Sequence, residues 1–298
     1  MHGPRIDELS TTSLCLEVLE HGRIIGYATG FVVKHRGAPF LITNWHVVSA
    51  TNPLTNEEKA MPTAMRVWHH RSKLGNWTSV DEPLLDENKE PLWIEHPTGK
   101  AVDVVALPLT IFAGSDVRFH PLSLDMAEFD LAIACGEPVQ VIGFPQSFTG
   151  RGRLPIWKTG HIASEPEIDY DDQPVFLIDA TTRGGMSGSP VVARRLNGYA
   201  TRGGGTVIGN GGTRFLGVYA GREGETSEIG RVWKSCVIQD VLENHTYAGR
   251  AREQLQPSAL VPETITGAPY ESAIGESIVT APDGPLNTDD RANPPAAS

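Results

Sequence analysis

The nine residues Gly184-Gly185-Met186-Ser187-Gly188-Ser189-Pro190-Val191-Val192 restrict the fold of this chain more than any other stretch. A proline followed by two β-branched valines opens a strand and cannot extend a helix. The glycines before it allow a sharp turn, close backbone approach and an exposed Ser187 side chain. The serine therefore belongs in a tight loop at the mouth of a strand. A serine hydroxyl is a weak nucleophile until a base takes its proton and a third group holds that base. The rest of the chain must be asked for a histidine and an acid.

Both lie upstream. His46 ends the apolar run Phe40-Leu41-Ile42-Thr43-Asn44-Trp45-His46-Val47-Val48, read as a strand over residues 40–48. Asp103 heads Val102-Asp103-Val104-Val105-Ala106-Leu107-Pro108-Leu109, where a partly buried carboxylate needs a partner. An imidazole donating its second N–H is one such partner. The chain order is His, Asp, Ser.

These three segments resemble the trypsin-like (chymotrypsin-fold) serine peptidases, especially bacterial members related to glutamyl endopeptidases and HtrA proteases. The serine block resembles that family's G-[DN]-S-G-[GS]-P, the histidine block its LTAAHV, and the segment from Asp103 its DIALLKL. The order matches this clan and not the subtilisins or α/β-hydrolases. Further likeness lies in Ala28-Thr29-Gly30-Phe31-Val32-Val33 before the histidine. It continues in Gly136-Glu137-Pro138-Val139-Gln140-Val141-Ile142-Gly143-Phe144-Pro145 and, after the serine, in Phe215-Leu216-Gly217-Val218-Tyr219-Ala220-Gly221. The resemblance covers about residues 12–245 and implies a mainly β fold. Two six-stranded antiparallel β-barrels, a C-terminal α-helix and a disordered tail are expected.

The rest of the chain fits that expectation. Its 298 residues can bury a sizeable core. With 31 glycines and 22 prolines it suits many short strands joined by turns. Strands are predicted over 12–20, 23–33, 65–68, 77–80 and 92–94, and after Asp103, so that barrel one spans about 12–120. Residues 1–11 form an N-terminal segment. After a connector over 110–131, strands over 132–144, 156–164, 175–179, 190–194 and 215–220 give barrel two, about 121–228. Apolar residues at Val232, Trp233, Cys236, Val237, Val241 and Leu242, three to four apart, predict a helix over 229–247 that closes the peptidase domain (12–247). Residues 248–298, rich in Pro, Ser, Thr, Ala and acids, cannot bury enough surface to fold alone and are expected to be disordered.

Composition limits the partners. A formal charge of −11 argues against nucleic acid or an anionic membrane. There is no run of about 18 apolar residues and no signal-like start. Cys15, Cys135 and Cys236 read as buried free thiols, and together these features lead to a cytoplasmic expectation. His69-His70 reads as an unliganded pair, since adjacent strand residues face opposite ways. Trp68, Trp77 and Trp93 read as barrel core, and the glycines of 203–212 as a hairpin, since no Gly-Lys-Ser/Thr follows them.

What the resemblance implies is a serine endopeptidase acting on a protein or peptide substrate, with no metal or other cofactor. Ser187 would be the nucleophile, His46 the base and Asp103 its orienting acid, with an oxyanion hole from the N–H groups of Gly185 and Ser187. Thr181, Thr182, Val218, Tyr219, Ala220 and Gly221 would line the substrate pocket. Thr181 stands where an Asp would read Arg or Lys, and Tyr219 replaces a histidine that glutamyl endopeptidases use. Small or apolar residues are therefore expected first and acidic ones second. Met186 stands where digestive enzymes carry an aspartate that pairs with a freshly cut N-terminus. Since this chain begins at Met1, activation by such a cut is not expected. Two other readings stay open: a catalytically silent peptide-binding or scaffold module on the same fold, and a serine esterase. Regulation by a protein partner is an expectation that no residue identifies.

Overall fold

Segments rich in β-branched and aromatic residues favour a pleated, half-buried surface, and in the computed structural model they pair into antiparallel sheets. The structure describes residues 6–244 except 53–54, 56, 111–114, 148–152 and 225–226. All described residues fall within one contact unit. The tail expected over 248–298 lies outside the described residues, as do residues 245–247.

The N-terminal half begins with a one-turn helix α1 (Leu9–Thr12), then β1 (Ser13–Glu20), β2 (Arg23–His35) and β3 (Ala38–Thr43). A short helix α2 (Trp45–Ser49) precedes β4 (Ala64–Arg71), β5 (Trp77–Pro83), β6 (Ile94–Glu95), β7 (Val105–Pro108) and β8 (Val117–Arg118). These eight strands form one sheet in the order β5-β4-β1-β2-β3-β7-β6, with β8 added to β4. Here the expectation of two closed barrels is met only in part, because among the described residues β5 and β6 do not pair. The two ends meet only at their corners, through a Leu85–Pro91 bridge and Leu92 N–H donating to Leu84 C=O at 2.9 Å. A two-residue β6, with Pro83 and Pro91 beside the seam, offers too few N–H donors to zip it.

The second half closes. Its strands are β9 (Pro138–Gly143), β10 (Ile156–Ile162), β11 (Val175–Asp179) and β12 (Pro190–Arg195). A hairpin of β13 (Gly198–Ala200) and β14 (Thr206–Ile208) follows, then β15 (Gly212–Arg222), β16 (Ile229–Lys234) and α3 (Cys236–Glu243). Six of them form a closed barrel, β10-β11-β16-β15-β12-β9. At Gly217, φ is +155° and an added Cβ would overlap Trp233 C=O, so only glycine lets β15 approach β16 this closely.

Two predicted elements differ. Residues 229–234 are a strand, not the first half of a helix. The barrel needs a sixth strand between β11 and β15, and β16 pairs with both. Val232 joins the barrel interior while Trp233 joins the core outside it, so both faces are buried and the alternation that marks a strand is lost. The helix begins only at Cys236, and it buries Val237, Ile238, Val241 and Leu242. Likewise, the strand expected over 40–48 ends at Thr43, and His46 stands on α2.

Three apolar clusters hold the unit together. One lies within the first sheet (Leu16, Leu41, Met65, Leu84, Leu107) and one inside the barrel (Val141, Ile178, Met186, Tyr219, Val232). The third joins the two halves and α3 through Phe31, Ile42, Val104, Val192, Phe215 and Ile238. The cysteines depart from the expected burial. Cys15 is buried and its thiol is pushed up to about 11 by desolvation, whereas Cys135, in a turn, and Cys236, at the outward start of α3, are exposed. All three thiols are free. Of the three tryptophans, Trp93 is buried, while Trp68 and Trp77 are half-buried. No helix among the described residues is long and apolar enough to cross a membrane.

Candidate active site

His46 is held from three sides. Helix α2 starts at Asn44, whose φ/ψ of −86°/151° is that of a cap, yet its side chain makes no capping bond. The orphan N–H of the first turn is met instead from 57 residues away: His46 N–H donates to Asp103 Oδ1 at 2.8 Å. The other carboxylate oxygen, Oδ2, lies 2.7 Å from His46 Nδ1. The Asn44 Nδ2 donates to the Asp103 backbone C=O at 2.7 Å. With one carboxylate engaging both ring and backbone, the imidazole is fixed with Nδ1 toward Asp103, leaving Nε2 for another partner. Asp103 is 9 % exposed, so this bonding offsets its desolvation.

Ser187 is tied to the same sheet. Its C=O accepts from Thr29 N–H at 2.9 Å, and Gly188 N–H donates to Tyr219 C=O at 2.9 Å. At Gly188 φ is +86°, and a Cβ there would overlap Thr29 C=O and the Thr43 hydroxyl. That hydroxyl itself donates to Thr29 C=O at 2.9 Å. The residue after Ser187 is thus wedged against Thr43, three positions before His46, which brings the serine loop to the mouth of α2. Thr29 is the shared clamp. Its hydroxyl donates to Gly185 C=O at 2.8 Å and accepts from Phe144 N–H at 3.0 Å.

The two proposed oxyanion donors lie in this loop. Gly185 has φ of +95°, and a Cβ would strike Phe144 C=O. Gln146 N–H donates to Gly184 C=O at 2.6 Å, which fixes the adjoining peptide. Among the described residues, neither Gly185 N–H nor Ser187 N–H donates a hydrogen bond. Ser187 is half-buried.

Met186, between them, is fully buried inside the closed barrel. Packing of an apolar side chain, not an ion pair, anchors the loop. Met186→Leu, which conserves volume, is expected to cost under about 1.5 kcal/mol. Met186→Ala is expected to cost about 2–3 kcal/mol and to slow labelling of Ser187 by a fluorophosphonate several-fold. Thermal melts and labelling time courses check both. Unchanged labelling in Met186→Ala would detach the loop from this anchor.

The expected pocket residues separate into two groups. Thr182 and Tyr219 are both buried and their hydroxyls are hydrogen-bonded to each other. Burial pushes the Tyr219 phenol up to about 12, and Gly230 leaves space for its ring. Val218 faces the other way, into the core with Val192, Phe215 and Trp233, and Ala220 follows it there. Thr181 is exposed, and Gly221 has φ of +108° with open space around it. Several positioning residues carry no local sequence signal. Thr29, Thr43 and Asn44 lie in motifs the sequence singled out but look there like ordinary strand residues, and Gln146 looks like an ordinary turn residue.

A family described as the trypsin-like peptidase domain matches residues 28–197, a span that contains His46, Asp103 and Ser187. Among curated proteins, none matches this chain. Solved structures similar to it include Rv3671c from M. tuberculosis in an inactive form, 18 % identical over 78 % of this chain and 86 % of that one, with a TM-score of 0.43. The serine endoprotease from Yersinia pestis is 13 % identical over 85 % and 69 %, with a TM-score of 0.42. The MamO protease domain from Magnetospirillum magneticum is 14 % identical over 78 % and 96 %, with a TM-score of 0.45.

Proposed function

Because this chain belongs to the trypsin-like peptidase domain family and is a serine-type peptidase, we propose that it cleaves peptide bonds through a His46–Asp103–Ser187 triad. The two-barrel chymotrypsin-like arrangement is part of the same proposal. His46 Nε2 takes the Ser187 proton as Oγ attacks the carbonyl, then delivers it to the leaving amine. Asp103 keeps the imidazole in the tautomer with Nδ1 protonated and stabilises the imidazolium. The Gly185 and Ser187 N–H groups receive the oxyanion, each such donor being worth about 10²–10³ in rate. An acyl-enzyme forms and water hydrolyses it.

The observation that carries this reading is the double engagement of His46 by Asp103, through ring and backbone, beside a serine loop wedged against Thr43. For the residue before the scissile bond, we propose a preference for small or apolar side chains, with acidic ones second. The Thr182 and Tyr219 hydroxyls satisfy each other, so this wall offers no counter-charge for a cationic side chain. The substrate is proposed to be a cytoplasmic protein or peptide, an assignment supported by the three free cysteines.

A fluorophosphonate is expected to label the wild-type chain and leave Ser187→Ala unlabelled, and casein should be cleaved by the first only. Absence of labelling would favour a silent binding module. Labelling with ester hydrolysis but no cleavage of a peptide library would favour an esterase. The same library reads the preference.

A further inference from the structure

Trp45 immediately precedes His46, and its indole Nε1–H donates to Glu95 Oε1 at 2.8 Å. The same oxygen accepts Trp93 Nε1–H at 2.9 Å. One carboxylate oxygen has two lone pairs, so a single acceptor can ground both indoles. Glu95 sits on β6, opposite Val105 of β7, and Asp103 lies two residues before Val105. The acid that holds Trp45 and the acid that holds His46 thus rise from neighbouring strands. From the far side, Asn244 Nδ2, at the end of α3, donates to Glu95 C=O at 2.8 Å. Asp240 of the same helix lies 3.6 Å from His96 Nε2. Strand β6 has only two residues, so α3 and the pairing with β7 are what keep Glu95 in place.

Helix α2 needs such a hold. It has five residues, too few to be stable alone. Its Asn44 side chain, turned to donate from Nδ2 to Asp103 C=O, leaves Oδ1 without a partner among the described residues and does not cap it. The tilt of α2 sets where His46 Nε2 points, and small misplacements of a reacting group are costly: about 1 Å can lose 10²-fold.

We propose that Glu95 is a positioning residue of the active site, which fixes the orientation of the His46 imidazole by pinning Trp45. It acts through Trp45 and touches neither substrate nor the reacting atoms. The inference rests on the reading of His46 as the base.

The test follows the rate of Ser187 labelling by a fluorophosphonate, together with the downfield NMR proton of the His46 Nδ1–H···Asp103 bond. Glu95→Ala is expected to slow labelling about tenfold and to broaden or shift that proton. Glu95→Gln, which retains a side-chain oxygen acceptor, should stay within about threefold of wild type. Trp45→Phe removes the donor but keeps a ring, and should match Glu95→Ala. The double variant should be no slower than either single one, because both remove the same link. Wild-type labelling and an unmoved proton in Glu95→Ala, or effects that simply multiply in the double variant, would overturn the proposal. Those outcomes differ from failure of the underlying reading, in which His46→Ala would still label at the wild-type rate.

Discussion

Asp103→Asn is expected to lower Ser187 reactivity about 10⁴-fold while the chain stays folded. The loss follows from how the carboxylate is used. Oδ2 lies 2.7 Å from the His46 ring nitrogen, and Oδ1 accepts the His46 backbone N–H at 2.8 Å. An amide has one oxygen to serve these two donors. If its NH₂ faces the ring, it donates to Nδ1, the proton moves to Nε2, and the imidazole cannot accept from Ser187. If its NH₂ faces the backbone, two donors meet and α2 is pushed away. Either orientation removes the base from its working state, and the shape of the side chain barely changes. Labelling rates and casein digestion measure the activity, and a melting curve verifies the fold. A residual rate within about tenfold of wild type would mean that Asp103 does not orient a catalytic base.

Acid is expected to destabilise the fold steeply between about pH 6.5 and pH 4, through two histidines outside the active site. His69 and His70 follow one another on β4, and both are buried. They do face different neighbours. His69 packs edge-on against Phe119 at 5.4 Å, while His70 lies over Trp77 at 3.8 Å and beside His120 at 5.1 Å. Nδ1 of His69 has no hydrogen-bond partner among the described residues, and neither His70 nitrogen makes a well-formed one, a weak contact with the Thr11 backbone offsetting little of its desolvation. Desolvation holds His69 down to about 4 and His70 down to about 3, the latter helped by the charges of His120 and His69.

The sign follows from linkage. Above the unfolded value of about 6.5, both states are neutral and nothing is lost. Below it the unfolded chain binds protons that the folded chain cannot, so stability falls until the folded value is reached. At about 1.4 kcal/mol per pH unit, His69 alone accounts for about 3 kcal/mol by pH 4. His70 adds to this, and because a charged His69 opposes protonation of His70 only in the folded chain, their repulsion deepens the loss. Burial, and after it the charge of Arg118, also holds His120 down, in the same direction. Glu82, buried and bonded to Thr110, is raised by desolvation and works the other way, favouring the folded state once protonated. Its effect is gained as the pH falls from its raised folded value to the unfolded value of about 4.5, inside the same window, so there it opposes the histidines. Chemical denaturation at pH 7, 5.5 and 4.5 measures the slope, and His69→Gln with His70→Phe should flatten it. A slope that the double variant leaves unchanged would assign the acid sensitivity to other groups.

Much of the proposed site was legible because it is written in local patterns. The glycines at 185 and 188 are required by backbone that no side chain could occupy, and glycine is visible in a sequence. A valine-rich run behind Asp103 and another behind Pro190 are strands in any reading. The errors have a common cause. At 229–234 the sequence carries two buried faces, and apolar spacing cannot separate a helix from a strand that is covered on both sides. At 44–48 the chain has β-branched valines and no capping bond of its own, and a helix forms because Asp103 supplies the missing acceptor.

By itself, then, the sequence determined the predominance of strands and singled out the residues proposed to carry the chemistry, in their order, because hydroxyl, imidazole, carboxylate and glycine act through their own atoms. Only the tertiary structure decided how His46 is held, that the first sheet stays unzipped beside Pro83 and Pro91, and that Glu95 secures Trp45. The first and last of these are bonds between groups far apart in the chain, 57 residues for His46 and Asp103 and 50 for Trp45 and Glu95. Such a bond leaves no mark on either residue's neighbours. It exists only once the strands have brought the two groups together.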